Sequence, residues 1–336
     1  MDRLALRSGE GLPASPTAGQ SAAPPRAARR AAPPGRQTAR RGAALWAAVA
    51  RPGTILRYAA LIALSTVFIM PFLWMVGTSL TPAHEVLDRN RPLFPATPEW
   101  RNYSDALGTI KVVVSVFGTV REIPAFALFL QNTLTIAILC TIGQTFSAAC
   151  VAFAFARLNF PYRDALFLLV LSTMMLPAQV TMIPQFILFA KLGWVDSLKP
   201  LIVPAFFGGG AFFIFLLRQF FLTVPKELEE AARLDGCNTF GVFWHVMLPL
   251  SKPALTTVAL FAFIAHWNDF MGPLIYTQSM EKKTLALGLA AFKGLNGTEY
   301  HLMMAASVAV LLPIIVIFFA AQRYFVQSIV ASGVKG

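Results

Sequence analysis

Apolar positions in this chain neither alternate nor recur at helical spacing; they run on. Six nearly continuous apolar stretches lie at about residues 58–80, 126–155, 165–188, 201–222, 254–276 and 303–325. Each is long enough to cross a hydrocarbon layer as a helix, which takes about 20 residues. A lipid-exposed barrel strand would alternate apolar with polar side chains, and these runs do not, so helices are predicted. The third run carries Pro177 and Pro184 and is expected to kink or end early. The fourth contains Gly208, Gly209 and Gly210. The predicted fold class is all-α, a polytopic membrane protein with six transmembrane helices.

Between the fourth and fifth runs the pattern changes. Residues 225–250 are polar, acidic at the start and helix-forming. Thr223 can cap a helix there, and Pro225 suits a first turn because its missing N–H is not needed. Glu227, Glu229 and Glu230 then fall near the positive end of the helix dipole, each worth about 0.3–1 kcal/mol. Gly236 reads as the stop, since it adopts the left-handed geometry other residues resist. Asn238 or Thr239 can cap a second short helix, ended by Pro249, on which Phe240, Phe243, Trp244 and Met247 share one face. Asp235 sits where the dipole disfavours an anion, so a partner cation or a capping contact is expected to account for it. Ala231 and Ala232 keep one side shallow enough for another backbone to approach. A structured polar element between two spans predicts a docking surface; the alternative is a hairpin resting on lipid headgroups.

Composition sharpens this picture. With 56% hydrophobic and 13% charged residues, and a mean hydropathy of +0.62, a soluble domain is excluded. The net charge of +12 would suggest nucleic acid, but residues 1–57 hold ten Arg against Asp2 and Glu10 and supply +8 of it. That segment also has seven Pro and few large apolar residues, which fits a disordered Arg/Pro-rich cytoplasmic tail, residues 1–55, ahead of a membrane domain at 56–336. Arg40 and Arg41 lack the flanks of an export signal, and the apolar run that follows is long enough to span. Lipid is the expected contact, and no nucleic acid partner is predicted.

Short-loop charges set the orientation. Arg157 and Arg163 place the second-to-third connection inside. Arg218, Lys226, Arg233 and Lys252 place the fourth-to-fifth connection there, and Arg323 and Lys335 the C-terminus. Both termini are therefore expected in the cytoplasm, although Lys282, Lys283 and Lys293 then face outward. Cys140, Cys150 and Cys237 lack metal-ligand spacing, and free thiols are expected. His84, His245 and His301 form no HxxxH or HExxH pattern, so no metal site is predicted.

Polar residues inside spans are functional candidates. Here they are Asn132, Gln144, His266, Asn268 and Asp269. Trp267, Asn268 and Asp269 combine an aromatic face with amide and carboxylate groups, the means by which sugars are held. Trp267 and Asn268 can equally lock a bend before Pro273, and Asn132 can equally be helix–helix glue. A lipid-linked transferase would need clustered acidic residues for a metal-bound diphosphate, but Asp235 and Asp269 lie on different elements. A stand-alone secondary transporter would want buried ionisable groups, and the spans are nearly free of them. No GxxxxGK[ST] sequence exists, so this chain hydrolyses no ATP.

Glu230, Ala231, Ala232, Arg233, Leu234, Asp235 and Gly236, closed by Leu248 and Pro249, resemble the EAA loop of ABC-importer permeases. His266 through Leu274, and the terminal stretch from Gln322 to Gly336, narrow the resemblance to carbohydrate-uptake permeases of the maltose type, the MalG-like half of the pair. Gln131 to Leu134 and Asn102-Tyr103 fit as well; Cys237 and Ser328 depart from the usual Ala and Gly. The resemblance implies an inner-membrane permease subunit of a bacterial sugar importer working by alternating access. It implies four kinds of partner: a second, different permease subunit, a cytoplasmic ATPase dimer that uses the ATP, an extracytoplasmic sugar-binding protein, and lipid. No cofactor on this chain is implied. Glu230 and Asp235 would contact the ATPase, with Ala231, Ala232, Gly236, Leu248 and Pro249 shaping the coupling helix. Asn132, Trp267, Asn268 and Asp269 would touch the substrate pathway.

Overall fold

The computed structural model describes residues 52–116, 119–294 and 297–333. Expectations for residues 1–51, and for side chains from Arg323 onward, lie outside it. Two compact units divide the chain between Thr66 and Val67, and the site belongs to the second.

Helix α1 spans Pro52–Ser79. Its end is held by the segment that follows: Asn102 donates to the Ser79 and Thr81 carbonyls, and Arg91 donates to Thr78 and Thr81 while stacking on Trp74. The Asn102 bonds use carbonyls at the helix terminus, where intrahelical partners run out, whereas Arg91 reaches the two threonine hydroxyls. Asn102 opens a short helix, α2, Arg101–Gly108. A hairpin follows, β1 Lys111–Val116 paired antiparallel with β2 Thr119–Pro124. The hairpin was not expected, though the β-branched run Val112, Val113, Val114 and Val116 carries its signal.

Helix α3, Ala125–Arg157, is the helix on which much of the second unit packs. It starts after Pro124, which has no N–H to leave unsatisfied, and ends on Arg157, a cation at the negative end of the dipole. Many of its buried residues are small, among them Ala137, Cys140, Gly143, Ala148, Ala149, Ala152 and Ala156, and small residues let helices come close where lipid offers no hydrophobic drive.

The third run is broken, as its prolines suggested, but only at one of them. Helix α4, Arg163–Met175, and helix α5, Ala178–Lys191, meet at 97°. Pro177 pushes Leu176 into an extended conformation, whereas Pro184 sits inside α5 without breaking it. The fourth run divides into α6, Lys199–Ile202, a tight turn at Val203–Phe206, and α7, Ala211–Thr223. Gly208, Gly209 and Gly210 between them all have positive φ.

Helix α8, Glu227–Leu234, and helix α9, Thr239–Leu250, form the polar loop, and α9 meets α10, Lys252–Trp267, at 79°. After a break at Asn268 the chain continues as α11, Met271–Tyr276, and a single turn α12, Leu285–Gly288. A two-residue hairpin, β3 Lys293–Gly294 with β4 Gly297–Thr298, leads into α13, Tyr300–Gly333. Among the described residues four helices are long and apolar enough to cross a membrane, and counting each bent pair as one span raises this to six. Helices α7 and α10 pack on α3, and α13 packs on α10. A core of Ala149, Phe153, Leu217, Phe221, Phe243, Met247 and Val258 fills the end that bears the polar loop.

Candidate functional site

The polar loop folds as helix, glycine corner, helix. Glu227, Glu229 and Glu230 occupy the first turn of α8, where the dipole favours anions. Gly236, at φ +88°, closes α8 with two reversed hydrogen bonds. Its N–H donates to the Arg233 carbonyl at 3.1 Å and the Cys237 N–H donates to the Ala232 carbonyl at 2.9 Å, the pattern that spends the last orphan carbonyls of a helix. Asn238 then caps α9, its side chain accepting from the Gly241 N–H.

Three local expectations need correction. Thr223 ends α7 and bonds back to the Phe220 carbonyl instead of capping α8; α8 starts at Glu227, after Lys226. Pro249 does not end α9, which runs on to Leu250 because a proline near the start of its last, tighter turn removes little. Phe240, Phe243, Trp244 and Met247 do not share a face. Residues Val242–Met247 are π-helical, and the wider turn rotates the register away from the 3.6-residue period. Phe243 and Met247 enter the core, with Phe243 packed on Phe153 at 5.1 Å between ring centres. Phe240 and Trp244 remain exposed and stack on each other.

Glu230, Ala231, Asp235, Gly236 and Pro249 are exposed, while Ala232 and Leu248 are half-buried against the core. The loop thus presents carboxylates around a shallow two-alanine surface. Among the described residues, neither Glu230 nor Asp235 is in an ion pair with another side chain.

What sequence reasoning missed lies under that surface. Glu229 turns inward, and its Oε1 lies 2.8 Å from Nε of Arg157, with side chains 9% and 3% exposed respectively. The contact is ionic rather than an aligned hydrogen bond. Nη2 of the same guanidinium donates to the carbonyls of Phe221 and Val224 at the end of α7. One Arg therefore joins the end of α3, the end of α7 and the start of α8. Arg218 supports the arrangement, lying 4.1 Å over the Phe167 ring. Sequence alone offered Arg157 as an orientation signal and Glu229 as a dipole contact, and no periodicity links residues so far apart.

The intramembrane candidates separate into two groups. Asn132, near the start of α3, donates to the carbonyls of Glu281 at 2.7 Å and Lys283 at 2.9 Å. Thr133 beside it accepts from the Leu285 N–H. These residues clasp the connection between the fifth and sixth runs, a helix-to-loop tie and not a helix–helix one. At the α10–α11 break, Trp267 is 1% exposed and donates its indole N–H to the Val310 carbonyl on α13. Asp269 accepts from the Gly272 N–H at the start of α11, and Asn268, which is exposed, donates to the Ile264 carbonyl. Gln144 and His266 bond across from α3 to α10 at 3.0 Å. Among the described residues no three His, Cys, Asp or Glu side chains gather as a metal site would need.

Far from the polar loop, Asp196 makes a second clasp. It accepts from the N–H groups of Gln278 and Ser279 and from the Ser279 hydroxyl. Its own N–H donates to the Tyr276 carbonyl. The Ser279 hydroxyl, then these backbone donors, hold its carboxyl below the ordinary carboxylate range.

Comparison with known proteins agrees with this architecture. Residues 148–331 match the model of the "Binding-protein-dependent transport system inner membrane component" family. The chain is 32% identical to the arabinooligosaccharides transport system permease protein AraQ of Bacillus subtilis, over 81% of this chain and 92% of that one. It is 35% identical to the sn-glycerol-3-phosphate transport system permease protein UgpE of Yersinia pestis, over 62% and 74%. Its fold resembles a chain of a bacterial ABC transporter involved in the import of the polysaccharide alginate, with a TM-score of 0.68 and 23% identity over 81% of this chain and 95% of that one. With the match to the family model covering more than half its length, this chain belongs to the inner-membrane permease components of binding-protein-dependent transport systems, which are transport subunits and not enzymes.

Proposed function

We propose that this chain is one of two different permease subunits of an ATP-driven importer for sugars or related polyhydroxylated solutes. The loop 225–250 docks on a separate cytoplasmic ATPase, with Glu230 and Asp235 meeting cations on it and Gly236 fixing the corner. That assignment puts both termini in the cytoplasm and the Asn132 and Asp196 clasps on the outer face, where a binding protein delivers solute. ATP is used by the partner, and this chain holds no cofactor of its own.

The observation that supports docking most strongly is a structured loop exposing Glu230 and Asp235 on either side of Ala231 while its other face is fixed into the core. A hairpin resting on headgroups would face those carboxylates toward anionic lipid, an unfavourable arrangement. Polyhydroxylated cargo is supported by the names of the relatives above. On the pathway, Asn268 and Asp269 are the candidate solute contacts. Trp267 is proposed to set the bend that presents them, because its indole is committed to Val310. Movement of α8 and α9 would rock the spans between inward- and outward-facing states.

The test is to isolate a tagged copy from native membranes in mild detergent. An ATPase and a second permease should co-purify, and the ATPase should be lost on Gly236→Asp. Recovery of a lone or self-paired chain, indifferent to that change, contradicts the proposal.

A further inference from the structure

We propose that Arg157 and Glu229 are positioning residues, a mechanical joint through which displacement of the loop 225–250 reaches the central helix α3. This rests on the reading that the loop docks on an ATPase.

The geometry supplies the argument. Phe243 on Phe153 seats α9 against α3 by apolar contact, while α8 brings the half-buried Ala232 to that core. Here α8 is fixed by a buried side chain to the end of α3, a helix to which it is not adjacent in sequence. The same guanidinium holds the last carbonyls of α7, so α3, α7 and α8 cannot separate without exposing a buried charge. Removing one partner of such a pair leaves the other buried and uncompensated, which makes the broken arrangement costly. Arg suits the task because its planar fork reaches a carboxylate and two carbonyls at once.

Helix α3 then extends the connection through the second unit. Near its middle Gln144 bonds His266 on α10, and at its far end Asn132 and Thr133 hold the 281–285 segment. One rigid element thus connects the polar loop to the opposite face. Glu229, unlike Glu230, is not available to a docked partner, because its side chain is already buried.

The test uses the complete importer, with both permeases, the ATPase and the binding protein, in liposomes carrying Glu229→Gln or Glu229→Asp. With Glu229→Gln the ATPase should remain bound and hydrolysis should stay within about twofold of the parent, while solute imported per ATP falls by about tenfold or more. Glu229→Asp, which keeps the charge, should recover most of that ratio. Parallel loss of hydrolysis and import, with the ratio unchanged, would overturn the proposal by reducing the pair to a folding contact. Loss of the ATPase from Glu229→Gln alone would also overturn it, making Glu229 a docking residue. Failure of the docking reading shows separately, as absence of the ATPase from the parent preparation.

Discussion

Gly209, in the break between α6 and α7, lies so close to Ala148 of α3 that a Cβ at 209 would sit 2.5 Å from the Ala148 nitrogen. The backbone there also has φ +62°. Gly209→Val therefore meets two penalties, about 1–2 kcal/mol for left-handed geometry and about 1–3 kcal/mol for overpacking. Gly208 has φ +96° but open space where a Cβ would go, so Gly208→Ala meets only the first. Thermal unfolding in detergent should show the larger loss at 209, and equal losses would contradict the close approach.

Glu230→Lys reverses an exposed charge at the proposed docking surface and should release the ATPase. Truncating one partner of an interfacial charge pair costs about 2–5 kcal/mol, and a reversal costs no less. Gly236→Ala, where nothing lies within contact distance, should cost about 1 kcal/mol through its backbone alone and leave binding measurable. Titration of detergent-purified permease with ATPase separates the two. Normal transport by a Glu230→Lys, Gly236→Asp double variant would exclude docking through this loop.

Asn132→Leu removes two hydrogen bonds to the 281–283 segment, each worth about 1 kcal/mol. The segment carries Lys282 and Lys283, so its release can be read as faster tryptic cleavage in right-side-out vesicles. Unchanged cleavage would mean that Thr133 and Asp196 suffice to hold it.

The Asp196 clasp should depend on pH. Its carboxyl is held below its ordinary value of 3.8 by the Ser279 hydroxyl first and by backbone donors second. A depressed folded-state value stabilises the clasp at pH above the unfolded value and ceases to do so as pH falls through the folded one. Amide exchange at Gln278 and Ser279 should therefore be protected, beyond its intrinsic pH dependence, down to about pH 4, and that protection should fade below it. Asp196→Asn should remove the pH dependence, and its persistence would assign it to another group.

Much of this was legible because lipid-spanning helices and glycine corners are local signals. Gly236 follows from its own conformational freedom, and Asn238 from its position before α9. The sequence pattern failed where geometry overrode period: the π-helical turn at Val242–Met247 split four aromatic and apolar residues that α-helical spacing had joined. It failed again where partners are distant. Asn132 and Lys283, Asp196 and Ser279, and Arg157 and Glu229 are each joined only by tertiary folding, so their polarity was visible but their bonds were not. Trp267 carried two readings, a sugar contact and a lock on the bend before Pro273, and its indole bond to the Val310 carbonyl depends on a helix that sequence could not place beside it.

The central claim is that α8 and its corner meet an ATPase, and site-directed photo-cross-linking in native membranes tests it most directly. A photoreactive side chain in place of exposed Arg233 should yield an adduct whose second component is an ATP-hydrolysing subunit. Adducts with lipid alone, or with a second copy of this chain, would contradict the account.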